Sequence, residues 1–78
     1  MPSVTEREAM QMFAATIGEI VGKRSEAYRD MVRALESEQV VDMMLAQSSF
    51  DGLPPETRHE IAGRVEELVA EKAAVEEA

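Results

Sequence analysis

The apolar positions Met10, Phe13, Ala14, Ile17, Ile20 and Val21 recur three and four residues apart, so they form one stripe of a helix whose other sides carry Glu6, Gln11 and Glu19. Ser3, three residues before Glu6, has the form of a capping box that starts this helix near residue 4. Gly22 can take the left-handed backbone that closes a helix. Lys23 and Arg24 follow where the negative end of the helix dipole favours cations. The pattern predicts a first helix near 4–22.

Ser25 can cap a second helix, near 25–36, whose buried stripe is Tyr28, Met31, Val32 and Leu35. The apolar residues Val40, Val41, Met43, Met44 and Leu45 lie on roughly the opposite side of an uninterrupted helix. A break around Glu36 to Gln39, with Ser37 capping a separate helix near 38–48, accounts for that change of face; one long helix buried first on one side and then on the other is the alternative. The stretch from Ser48 to Pro55 combines turn formers with two prolines and reads as a linker over 48–54. Pro55 then suits the first turn of a last helix, near 55–75. In that helix Ile61, Val65, Leu68, Lys72 and Val75 recur at alternating spacings of four and three, as in a coiled-coil seam. Beyond Val75 the chain is expected to fray.

No segment alternates with period two over the length of a strand, so the class is all-α. The expected architecture is a small bundle of three or four helices with antiparallel packing, forming a single domain over 1–78. A chain of 78 residues sits where one hydrophobic core supplies only about 3–5 kcal/mol, which favours a dimer. Ile61, Val65, Leu68 and Val75 are the expected oligomer interface.

Composition narrows the chemistry. There is no cysteine, which removes disulfides, thiolate nucleophiles and cysteine-ligated metals. His59 is the single histidine, flanked by Arg58 and Glu60 on a predicted solvent side. No catalytic residue and no cofactor are expected. Glu56 and His59 have the E-x-x-H spacing of carboxylate-bridged metal bundles, but only Glu19 and Glu38 could supply the further ligands, and the periodicity does not turn them inward. No metal site is expected.

Sixteen acidic against eight basic side chains give a formal charge of −8, balanced over 1–24, −3 over 25–50 and −5 over 51–78. Such a field repels phosphate backbones. The basic cluster Lys23, Arg24, Arg29 and Arg33 supports the alternative of a DNA-binding transcriptional regulator; capping, with Glu26–Arg29 and Asp30–Arg33 pairing, explains it more simply. Gly18 and Gly22 suit close helix packing and helix termination rather than a phosphate loop. No stretch reaches the roughly 20 apolar residues of a membrane span, and no basic n-region of a secretory leader is seen, so the cytoplasm is the expected compartment.

Two features remain that could carry a function. The run from Val40 to Leu45 holds five apolar residues in six, too many to point into one small core, and its methionines adapt readily to a partner's shape. The last helix displays Glu66, Glu67 and Glu71, a field that steers towards basic surfaces. The expected function is a non-enzymatic protein-protein interaction module that regulates, inhibits or scaffolds a larger partner, a basic surface being the kind its charge suits. Its expected contact residues are Val40, Val41, Met43, Met44, Phe50, Glu66, Glu67 and Glu71.

Overall fold

A computed structural model describes residues 5–77, with the backbone alone for 76 and 77. It consists of four helices: α1 (Glu6–Ile20), α2 (Glu26–Ser37), α3 (Val40–Asp51) and α4 (Pro55–Glu77). No strand occurs among the described residues. The cap expected at Ser3 lies outside them; the box that forms uses Thr5, whose hydroxyl accepts the Glu8 N–H while the Glu8 carboxylate accepts the Thr5 N–H. Gly22 closes the first turn region with φ 106°, its N–H reaching back to the Ile17 carbonyl. Ser25 caps α2, accepting the Tyr28 N–H and donating to the Gly22 carbonyl.

Helices α2 and α3 are separate, and the break is made differently from the expected Ser37 cap. Glu38 takes the left-handed conformation, φ 57°, and Gln39 occupies the α3 N-cap without a side-chain bond. Ser37 still contributes: its hydroxyl accepts the Gln39 N–H and donates to Asp42. The linker is shorter than the two prolines suggested. Residues 48–51 remain helical, because Ser48, Ser49 and Phe50 precede the prolines by enough residues to complete the last turn of α3. Pro55 opens α4 as expected, and α4 runs through Glu77.

The substantial helix contacts are α1 with α2, α2 with α3, and α1 with α4. The buried apolar residues are Ala14, Ile17, Ala27, Met31, Ala34, Ala46 and Ile61. Four of these are alanines, and that choice sets the energetics. Small side chains let helix axes approach closely, but a buried methyl contributes about 0.8 kcal/mol against about 1.5–3 kcal/mol for a buried leucine or isoleucine. The larger apolar side chains Phe13, Ile20, Tyr28, Leu35, Phe50, Leu53 and Val65 pack on the rim of this core, partly exposed. The one buried polar side chain among the described residues is Thr16, whose hydroxyl donates to the Met12 carbonyl at 2.7 Å.

Principal extents of 37 × 28 × 17 Å make the molecule a slab. With helix axes packing about 8–10 Å apart, the short dimension holds barely two layers. A slab this thin cannot enclose every apolar side of an inner helix.

Candidate functional site

Helix α3 packs substantially on α2 alone among the described helices. Its inner stripe is Asp42, Ala46 and Ser49: Ala46 is buried and the Ser49 hydroxyl donates to Asp30 of α2. At about 100° per residue Leu45 lies at the edge of that stripe, next to Ser49, while Val41 and Met44 point away from it. They are exposed there, Val41 by 67% and Met44 by 66%, with Val40 at 70% beside them. Such an apolar helix face on a small protein, unmatched by charge, is the kind of surface that interaction sites use.

Beside this face lies a groove of about 490 Å³. Ala9, Met10 and Phe13 of α1 form one wall, and Met43, Gln47 and Phe50 of α3 the other. Met31 and Ala34 of α2 with Ala46 make the floor, Val65 of α4 contributes, and Glu6 is the single charged lining residue. Phe13 and Phe50 meet edge to face across it, ring centres 5.0 Å apart at 65°. Two short ties frame the neighbourhood. Arg7 of α1 pairs with Glu38 at the end of α2, and Gln47 donates to Asp51 at 3.1 Å.

The expected contact residues divide. Val40, Val41, Met43 and Met44 share the exposed part of α3, whereas Phe50 packs on the core and shows only part of its ring to the groove. Glu66, Glu67 and Glu71 are exposed on α4, with Glu67 held by Arg64 at 3.2 Å. None of the three lines the groove, to which α4 contributes Val65. Ile61 requires correction as an interface residue: it is wholly buried in the chain's own core, because the first half of α4 faces the other helices. Val65 is half-buried against that core, Leu68 is half-buried, and Val75 stays 75% exposed.

Other candidates resolve into local structure. Arg29 donates to the Arg24 carbonyl at 3.0 Å instead of pairing with Glu26, and Asp30 accepts from Ser49 instead of pairing with Arg33. His59 is exposed, and no group of three or more potential ligands gathers among the described residues. None of the described helices is long and apolar enough to cross a membrane. At the other flank of α1, Lys72 of α4 bonds to Glu8. That ammonium, with the Thr5 N–H, holds the Glu8 carboxyl below the usual carboxylate range.

The groove residues Met10, Phe13 and Met31 were legible only as core. Nothing in their spacing says that α1 and α3 leave a gap over α2. Comparison with family models, curated proteins and solved structures finds no match for this chain.

Proposed function

We propose that the chain is a non-enzymatic protein-binding module, which regulates, inhibits or scaffolds a larger partner through the exposed apolar face of α3. The carboxylates of α4, Glu66, Glu67 and Glu71 among them, steer basic partners towards it by their long-range field. The observation that carries this reading is the two-thirds exposure of Val40, Val41 and Met44 on a helix with one substantial neighbour. Neighbouring helices run antiparallel in the proposed arrangement, since the connections over 21–25, 38–39 and 52–54 are short. A homodimer through Leu68 and Val75 at the far end of α4 accompanies the proposal and leaves α3 free for the partner. The cytoplasm is the proposed setting, an expectation that rests on the sequence.

The double substitution Val41→Ser with Met44→Gln tests the reading. Both side chains are at the surface, so folding stability should change by no more than about 0.5 kcal/mol. Affinity capture from the native cells should recover a partner with the unaltered chain and lose it with the variant. Retention of the same partner by the variant would remove α3 from the function. Sedimentation equilibrium of Val75→Glu checks the dimer, which should dissociate.

A further inference from the structure

We infer that the groove between α1 and α3 receives a cationic amphipathic helix of the partner, apolar face inward and basic side chains against the carboxylates around it. This rests on the protein-binding reading and names the chemistry of what binds.

The groove offers an apolar wall on each side, Met10 against Met43, over a floor of Met31 and Ala46, and the Phe13–Phe50 ring contact bridges it. Its polar lining is one carboxylate, Glu6, and one amide, Gln47. A small polar ligand would find too few converging groups to fix its orientation. The apolar surface also does not stop at the lip. Going round α3 from Met43, Val40 lies roughly 60° further and Met44 roughly 100° further, so groove and exposed face adjoin. An occupant that matches both presents a long apolar stripe, which is what an amphipathic helix laid along a groove provides. Methionines on the walls and floor can repack around side chains of different shape.

Charge selects among such helices. From Ala34 to Thr57, which includes all of α3 and its flanks, the chain holds Glu36, Glu38, Asp42, Asp51 and Glu56 and no lysine, arginine or histidine. On the α1 side the nearest cation, Arg7, is already paired with Glu38, while Glu6 lines the groove. Of these carboxylates, Asp42 turns towards α2 and Glu38 holds Arg7, so a basic helix meets Glu6 on the α1 side and Asp51, bonded to the lining residue Gln47, on the α3 side. A second copy of this chain laid in the groove by its own α3 face would bring carboxylates and no cation, since 34–57 holds none, which disfavours it as the occupant.

The test uses the full chain and two labelled peptides of 18 residues with one helical pattern, one built from leucine and lysine, the other from leucine and glutamate. Fluorescence anisotropy should show the lysine peptide binding at least about tenfold tighter at low salt, the gap narrowing as salt screens the charges. Met43→Lys, or Gln47→Lys as a substitution at an exposed polar side chain, should weaken the lysine peptide about tenfold without moving the thermal transition. Glu67→Gln with Glu71→Gln should weaken it less than threefold. Equal binding of both peptides overturns the inference, as does binding that ignores Met43→Lys and Gln47→Lys but collapses with the α4 pair. It is equally overturned if neither peptide binds. Should the captured partner still depend on Val41 and Met44 in that case, the protein-binding reading stands and only the groove falls; loss of both dependences removes both.

Discussion

Gly18 is buried in α1 where the ring of Tyr28 crosses it, and a methyl group built there would come within 2.8 Å of the ring's Cε1. Gly18→Ala gains about 1 kcal/mol of helix propensity but forces the half-buried ring off its packing on the core, at a cost of about 1–3 kcal/mol. A net loss of about 1 kcal/mol is expected in urea denaturation, and a stabilised variant would mean that the ring swings aside freely. Glu38 presents the opposite balance. Its left-handed backbone costs about 1–2 kcal/mol for a residue with a Cβ, whereas its exposed ion pair with Arg7 is worth about 0–1 kcal/mol. Glu38→Gly should therefore raise the urea midpoint, by an equivalent of about 0.5–1 kcal/mol. The sequence made Gly22 readable as a helix stop because glycine advertises positive φ; Glu38 gave no such signal, and only the need to turn the chain between α2 and α3 places it there.

At the scale of elements, the start of α1 and the second half of α4 are tied by Glu8 and Lys72, residues separated by most of the chain. The Glu8 carboxyl is held below its ordinary range chiefly by the Lys72 hydrogen bond, and then by the Thr5 N–H. A folded value below the unfolded one adds stability that is present above the usual carboxylate range and disappears as pH falls through the lowered value. Glu8→Gln should accordingly show a shallower loss of thermal stability between about pH 5 and pH 2 than the unaltered chain. Parallel profiles would show that the tie contributes nothing to folding. Helices α1, α2 and α4 were readable because each carries a periodic stripe, with the cap at Ser25 and the first-turn Pro55 marking two of the starts. The stripe of α3 was not readable. Val40, Val41, Met43, Met44 and Leu45 cover so much of its circumference that the sequence does not say which side meets α2; Ala46, the smallest apolar side chain there, is the one that does.

For the whole molecule, a two-layer slab with an alanine-rich core leaves apolar surface on α3 and at Val75 while carrying eight net negative charges. Apolar attraction and like-charge repulsion thus oppose each other when two copies meet. Raising salt screens the repulsion and strengthens apolar burial, so the fraction of the proposed dimer in sedimentation should rise with ionic strength. A fall would mean that ionic contacts hold the copies together. The sequence alone determined the helical class, the positions of α1, α2 and α4, the absence of cysteine chemistry and the acidic field, because periodicity, capping and charge are properties of neighbouring residues. Tertiary structure alone decided that Ile61 is interior, and that α1 and α3 meet at Phe13 and Phe50 yet leave a groove over α2 beside that contact. Those outcomes depend on which faces meet, and the small alanine contacts of α2 fix that only when the helices are packed together.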